Sequence, residues 1–318
     1  MKKYFISGGA GFIGSHMCRH LLSNCPNDKV VVYDNFSSGD ISFLSDLRSS
    51  RLQIINADIK DIKKLSRCLT KDVSLVYHFA SNADIARAVK FPEIDFWEGT
   101  YLVNNILEAM RVNGVKNLIF SSGSGIYGDV GLNRLSEQYA PLLPVSTYGA
   151  SKLAAEALIC AYCHMFGINA TVLRFANVVG PNQTHGVGYD FVRRLLKDKK
   201  RLKILGNGKQ SKSYIYVSDV IKAILLTQRK NKGFNFYNVS TLDSISVKQI
   251  ADVVTRVMGL SKVKYEYTGG SRGWQGDVPV VRLDSSKIRK LGWNNSYSSL
   301  QAITKSAEAI YKSCKKPI

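Results

Sequence analysis

Nowhere in its 318 residues does the chain hold an apolar run approaching the ~20 residues of a membrane-spanning helix. The basic start, Met1-Lys2-Lys3-Tyr4-Phe5-Ile6-Ser7, meets Gly8-Gly9 before a signal-peptide core can form, so a cytoplasmic location and no membrane partner are expected. Cysteine is scarce and scattered. Of the six, Cys160 and Cys163 lie in an alanine-rich helical stretch with no second Cys or His cluster, so helix packing is the default reading and no metal is expected. Internal repeats and low-complexity segments are absent. Acidic residues are in deficit, 24 against 44 Lys and Arg, for a formal charge of +20. The basic residues are spread along the chain, with short runs at Lys197-Asp198-Lys199-Lys200-Arg201 and Lys312-Ser313-Cys314-Lys315-Lys316. Neither run is interleaved with aromatics as a single-strand stacking platform would be, so no specific nucleic acid is expected. A solvated lysine-rich surface is the plain reading, and an electrostatic aid to anionic substrates is the other.

What is present points to an α/β protein. The length exceeds one ordinary core, and 45% hydrophobic residues can fill a large one. Short apolar strands at 4–7, 29–33, 52–55, 74–79, 117–121 and 170–175 alternate with helical stretches, beginning with Ser15 to Leu22. That spacing predicts a Rossmann-type, doubly wound parallel sheet covered on both faces, with a smaller C-terminal substrate-binding lobe. Beyond Gly180-Pro181 the pattern becomes irregular. The expected division is a nucleotide-binding domain over 1–178, with 213–260 returning to it, and an interleaved lobe over 179–318. Phe236-Tyr237-Asn238-Val239 is the strand expected to return to the main sheet.

Gly8-Gly9-Ala10-Gly11-Phe12-Ile13-Gly14 follows the first strand and opens a helix. Small residues there let the backbone approach a pyrophosphate, and the helix N-terminus offers it free N–H groups. Asp34 ends the second strand, where a carboxylate accepts from both ribose hydroxyls of adenosine and repels a 2′-phosphate; NAD is therefore favoured over NADP. Asp58-Ile59, after the third strand, falls either near the adenine or in a solvated loop. Tyr148 and Lys152 lie four residues apart, so on a helix they share a face and the ammonium sits near the phenol. A free phenol titrates near ~10, and acid–base work at neutral pH needs such a cation. Alone, the spacing also arises by chance.

With Asp34-Asn35-Phe36-Ser37-Ser38-Gly39 and Tyr148-x-x-x-Lys152, the glycine turn resembles the extended short-chain dehydrogenase/reductase family, in its NAD-dependent nucleotide-sugar epimerase/dehydratase group. The likeness covers nearly the whole chain. Arg174-Phe175-Ala176-Asn177-Val178-Val179-Gly180-Pro181 and 205–219 are similar to the group, and 269–279 is most similar to its archaeal-type UDP-glucose 4-epimerase branch. The resemblance implies NAD as cofactor, a UDP-sugar as substrate, a homodimer, and epimerisation of a UDP-hexose at carbon 4. It assigns the base to Tyr148 and the cofactor-holding lysine to Lys152. To the cofactor site it adds Gly8, Gly11, Phe12, Ile13 and Gly14, then Asp34, Asn35, Ser38 and Gly39, then Asp58 and Ile59. Phe79, Ala80, Ser81, Ser121 and Phe175 complete that set. It places Asn177, Lys212 and Arg272 around a nucleotide diphosphate and Asp277 at the uridine ribose, with Asn82, Ser124, His185, Gly186, Val187 and Tyr214 also in the substrate site. For the dimer, Leu102 to Met110 and Ala154 to Tyr162 are apolar enough, though the same stripes can face the sheet.

Two departures from the family pattern stand out. Gly123 occupies the place of an active-site Ser or Thr hydroxyl, leaving Ser122 or Ser124 to take over its part. Phe96 in Phe96-Trp97-Glu98-Gly99-Thr100 replaces an asparagine near the cofactor. Ser124-Gly125 fills slots where the family's dehydratases carry acids, which favours epimerisation, and Val281 stands where several strict glucose/galactose epimerases have a tyrosine, which predicts room for an N-acetyl group. Other nucleotide-sugar dehydratases, decarboxylases and reductases are the alternatives. A catalytically weakened NAD-binding or nucleic-acid-binding member is the alternative of another class.

Overall fold

The structure is a computed structural model that describes residues 1–315; Lys316, the last residue of the second basic run, lies outside them. Along the chain come β1 (Lys3–Ser7), α1 (Phe12–Asn24), β2 (Lys29–Asp34), β3 (Leu52–Asn56), α2 (Ile62–Cys68), β4 (Leu75–His78), α3 (Tyr101–Asn113), β5 (Asn117–Gly123), α4 (Thr147–Phe166) and β6 (Asn169–Phe175). There follow β7 (Asn177–Val179), α5 (Val187–Lys197), β8 (Arg201–Ile204), β9 (Ser211–Lys212), β10 (Tyr214–Tyr216), α6 (Val217–Gln228) and β11 (Phe234–Val239). The chain ends in β12 (Ile245–Ser246), α7 (Val247–Val257), β13 (Lys264–Tyr267), β14 (Val280–Val281), α8 (Ser286–Arg289) and α9 (Ser299–Lys315).

A seven-stranded sheet in the order β11-β6-β5-β4-β1-β2-β3 makes the fold the expected Rossmann-type α/β architecture. From β3 through β5 the neighbours pair in parallel. Strand order reverses at β1, between β2 and β4, which opens a crevice at the carboxyl ends of those strands. Phe236–Val239 joins this sheet within β11, as expected. The first helix starts at Phe12 rather than Ser15, because Gly11 already serves as its N-cap.

Two compact units emerge. Among the described residues, the first comprises 1–123, 147–174 and 221–237, and the second 124–146, 175–220 and 238–315. Segment 124–146 thus belongs with the second unit, and of 213–260 only 221–237 belongs with the first. The first unit's core is built from Phe5, Val31, Tyr33, Val76 and Phe120 on the sheet, covered by Leu102, Val103, Ile106, Leu107 and Met110 of α3 and Ala155 and Ile159 of α4. The stripe 102–110 therefore turns most of its side chains inward, whereas over 154–162 only Ala155, Glu156 and Ile159 are buried. The second unit has its own core, in which Phe191, Val192 and Leu195 of α5 pack with Ile250 and Val254 of α7 and Ala302, Ile303 and Ile310 of α9.

Part of the basic charge has a local cause. Arg194 and Lys197 close α5, and Lys312 and Lys315 close α9, so each basic run begins at the negative end of a helix dipole. No helix among the described residues is long and apolar enough to cross a membrane, and they contain no group of three or more His, Cys, Asp or Glu that could hold a metal ion.

One ion pair lies wholly inside the first unit. Arg174 of β6 meets Glu156 of α4 at 2.7 Å, both nearly inaccessible, with the guanidinium 4.8 Å from the Phe236 ring. Removing one partner strands the other charge in a low-dielectric site, a larger penalty than the pair's own net worth. Glu156→Leu is expected to lower the unfolding free energy by about 3–5 kcal/mol in urea titrations, and Glu156→Leu combined with Arg174→Met to recover most of that loss.

Candidate active site

The glycine turn is forced by contact. Gly8 has φ +71°, and a Cβ on it would lie 2.6 Å from the backbone nitrogen of Ala80. A Cβ on Gly14 would collide with the Gly8 carbonyl oxygen, so α1 can approach β1 this closely only through glycine. Segment 35–40 folds back on the same turn: Asp40 N–H donates to the Ala10 carbonyl at 3.0 Å, and a Cβ on Gly39 would lie only 3.0 Å from Ala10. Phe12, Ile13 and Gly14 form the first turn of α1, whose N-cap Gly11 uses no side chain, leaving the N-terminal N–H groups to a ligand.

Asp34 is buried at the end of β2. Ala10 N–H donates to its Oδ2 and Phe36 N–H to its Oδ1, each at 2.9 Å. Burial raises its pKa, and the two backbone donors pull it back. Each oxygen keeps a lone pair for a diol. Asn35 donates to Asp58 Oδ2 at 2.9 Å, and Asn105 of α3 donates to the Ile59 carbonyl at 3.1 Å. The Asp34–Asn35 and Asp58–Ile59 segments are thereby tied together beside the turn, while Ser38 is exposed. A close-approach glycine turn, free helix N–H groups and a buried acceptor carboxylate are what a dinucleotide without a 2′-phosphate demands, so these residues fit NAD.

Phe79 and Ala80 leave β4 with both N–H groups directed to the Ser7 carbonyl, and Ser81 follows. Asn82 is fully engaged: its amide donates to Asp84 O and Asp95 Oδ1, and its own oxygen accepts from Asp84 N–H. It has little left to offer a substrate. His78 is buried, with Nδ1 2.6 Å from Ser7 Oγ and no partner at Nε2. Burial first, then the charge of Lys152, pushes its pKa down to about 3, so it is neutral.

Tyr148 and Lys152 sit on the first turns of α4, with Lys152 Nζ 5.7 Å from the Tyr148 ring centroid and 4.9 Å from that of Phe120. The ammonium donates to the Ser121 carbonyl at 2.9 Å, which anchors it to the end of β5. Its pKa is pushed down to about 8 by burial, against the carboxylates of Glu156 and Asp95, which hold it up. The phenol moves the other way, up to about 12, from burial and then the Asp95 charge. The free protein therefore holds a neutral phenol beside a lysine that is charged below pH ~8 and uncharged above it. Ser122 is buried with an unpartnered hydroxyl, an arrangement that ordinarily costs about 1–3 kcal/mol unless a ligand meets it. Ser124 begins a short 3₁₀ turn, Ser124–Tyr127.

In the second unit the structure gathers Asn177, Lys212, Tyr214, Arg272 and Asp277. β7 and β10 place Asn177 opposite Tyr214, and the Asn177 amide donates to the Ser213 carbonyl. Lys212 Nζ lies 2.5 Å from Asp277 Oδ1, whose Oδ2 accepts from Gly273 N–H at 2.9 Å. Arg272 donates to the Asp277 carbonyl and pairs with Asp129 at 2.5 Å. Tyr214 is buried, and desolvation and then Asp277 raise its pKa. Val281 is buried on β14 in register with Lys212. His185, Gly186 (φ +96°) and Val187 sit at the start of α5, and Phe175 is buried at the end of β6.

Sequence patterns did not point to Asp95, Thr147 or Asp129. Asp95 is linked to Asn82 and to Thr147, 52 residues away. That Thr147 directly precedes the catalytic candidate was the one available hint. Phe96, in the place of the expected asparagine, is half exposed and packs edge-on to Trp97 at the start of a π-helical turn, Phe96–Thr100. Such turns frequently mark functional sites. Gly14→Ala is expected to abolish retention of NAD, measured by chromatography of nucleotide released from the denatured protein.

Residues 4–240 match the NAD dependent epimerase/dehydratase family. The chain is 32% identical over 295 residues to the putative UDP-glucose 4-epimerase of Methanocaldococcus jannaschii, a match covering 91% of this chain and 92% of that protein. The crystal structure of the Thermotoga maritima UDP-glucose 4-epimerase with UDP-glucose is similar at a TM-score of 0.88 and 30% identity, over 98% of this chain and 100% of that one. A dTDP-glucose 4,6-dehydratase from Streptomyces venezuelae, solved with NAD bound, is similar at 0.89 and 25% identity over 98% and 97%. The match takes in both the glycine turn and the Tyr148–Lys152 helix, and the chain belongs to the NAD dependent epimerase/dehydratase family, with NAD as its cofactor.

Proposed function

We propose that this protein is a UDP-hexose 4-epimerase, interconverting the carbon-4 epimers of UDP-glucose or UDP-N-acetylglucosamine through a transient 4-keto sugar. The observation that carries the reading over 4,6-dehydration is the turn after β5: Ser124–Tyr127 has no acidic side chain, and dehydration needs one there to move a further proton. The relatives named 4-epimerase support the same choice.

On this reading NAD supplies the hydride acceptor, and later the donor, at carbon 4 of the sugar. The chain's residues handle the proton and the position. Once the phenol has released its own proton to solvent as substrate and cofactor bind, the Tyr148 phenolate takes the proton of the 4-hydroxyl and returns it to the same oxygen after the keto sugar has turned over, so the catalytic cycle consumes no net proton. Lys152, held by the Ser121 carbonyl, stabilises the phenolate before that proton is taken and after it is returned. Ser122, whose buried hydroxyl lacks a partner, is the better placed substitute for the hydroxyl absent at Gly123, and Ser124 is the other candidate. In the second unit Lys212 and Arg272 supply cations for a diphosphate, Asn177 an amide, and Asp277 an acceptor for a ribose diol. Val281, beside Lys212 in register, is the small residue assigned to the wider sugar specificity.

Incubation of the purified protein with UDP-galactose, UDP-N-acetylgalactosamine and UDP-galacturonate, with the products separated by chromatography, tests the reading directly. Conversion of the first two to their carbon-4 epimers is expected, and Tyr148→Phe should slow it by about 10²–10⁴-fold. A 4-keto-6-deoxy product from UDP-glucose would instead make it a dehydratase. Ser122→Ala is expected to lower kcat by about 10-fold or more and Ser124→Ala by less. Full turnover in both would remove serine from the mechanism.

A further inference from the structure

The helix that carries the dyad is clamped from outside by a carboxylate that no motif contains. Asp95 is buried, at 2% exposure, just ahead of the π-helical turn Phe96–Thr100. Its Oδ2 accepts from Thr147 Oγ1 at 2.7 Å, and Thr147 is the first residue of α4 and the neighbour of Tyr148. Its backbone carbonyl accepts from Ser151 Oγ at 2.6 Å, and Ser151 is the neighbour of Lys152. Asn82 donates to its Oδ1 at 2.8 Å. Ser151 Oγ in turn accepts from Thr100 N–H at 3.1 Å, and a Cβ on Gly99 would collide with it, so the segment and the helix touch with no slack.

The two donors to its carboxylate, Thr147 and Asn82, are neutral, and they solvate the Asp95 charge without cancelling it. A buried anion at the first turn of a helix is also favoured by the helix dipole, which explains how the site tolerates it. The charged and titratable groups facing the dyad are Asp95 from this segment, Glu156 on α4 and His78 on β4. His78 is neutral, and Glu156 is committed to Arg174. Asp95 is left as the anion that acts on both members, opposing ionisation of Tyr148 and supporting that of Lys152.

We propose that Asp95 is the positioning residue of the Tyr148–Lys152 dyad, locking the first two turns of α4 through Thr147 and Ser151 and setting the electrostatic field in which both groups exchange protons. The proposal rests on the reading of that pair as the acid–base machinery. Its consequence is that the phenol stays protonated, and the lysine charged, until substrate and cofactor arrive.

The test follows the Lys152 side chain by the pH dependence of its ¹³Cε resonance, assigned by loss of the signal in Lys152→Met, alongside the pH profile of kcat/KM for UDP-galactose. In Asp95→Asn the Lys152 midpoint is expected to fall by about one unit, and both limbs of the profile to move to lower pH together, because removal of one negative charge disfavours protonation at both sites. Asp95→Glu should restore the midpoint. A folded Asp95→Asn protein with the wild-type midpoint would overturn the proposal. Thr147→Val gives a second route if Asp95→Asn does not fold: kcat should fall about tenfold with KM unchanged, and a wild-type kcat would be equally fatal. The resonance needs no turnover, so a shifted midpoint in a protein inactive on every UDP-sugar would uphold Asp95 and reject the epimerase reading.

Discussion

A helix and a strand that meet through glycine alone set the terms for the first unit. With Gly14 against the Gly8 carbonyl, α1 starts as β1 ends, and neither glycine has room for a side chain. Ala80 closes on the other side of Gly8, so the chain leaving β4 is pinned to the same spot. Because strand order reverses at β1, this is also where loops from both halves of the sheet diverge. Helix N–H groups, the Asp34 carboxylate and the crevice are brought to one place by a single steric fact. Any side chain at Gly14 would push α1 away and disperse them.

Much of this was legible because it is local. The strands were marked by apolar runs, the turn by its glycines, and the dyad by a four-residue spacing that a helix turns into proximity. Asp34 was readable from its distance along the chain after the turn. The parts that were hidden depend on partners far apart. Asp95 acquires its role from Thr147 and Asn82, and a lone aspartate before an aromatic pair carries no sign of either. Asn82 shows the reverse case: a residue of suitable chemistry in a suitable place, whose donors turn out to be spent on the protein itself. Membership of 124–146 in the second unit was equally invisible, since it rests on contacts such as Arg272 with Asp129.

The charge balance of the chain also looks different once its residues are placed. An excess of twenty positive charges suggests a surface waiting for anions. Yet basic runs cap the negative ends of α5 and α9, Arg174 is matched by Glu156, and the two cations assigned to a diphosphate are both already paired. Net charge sets solubility and long-range steering, whereas local pairing decides what a ligand must displace.

The Lys212–Asp277 contact has a consequence of its own for a ligand that carries both phosphates and a ribose. While Lys212 holds Asp277 Oδ1, the cation and the acceptor are each other's best partner, and neither is fully free. A phosphate that draws the lysine away leaves a carboxylate oxygen short of a donor, at the very moment when a sugar hydroxyl on the same molecule can fill it. The two ends of such a ligand are then thermodynamically linked: each lowers the cost of seating the other, and neither fragment by itself can reach the affinity that the intact molecule obtains. On the proposed reading, an ion pair that looks like a plug thus acts as a check for completeness.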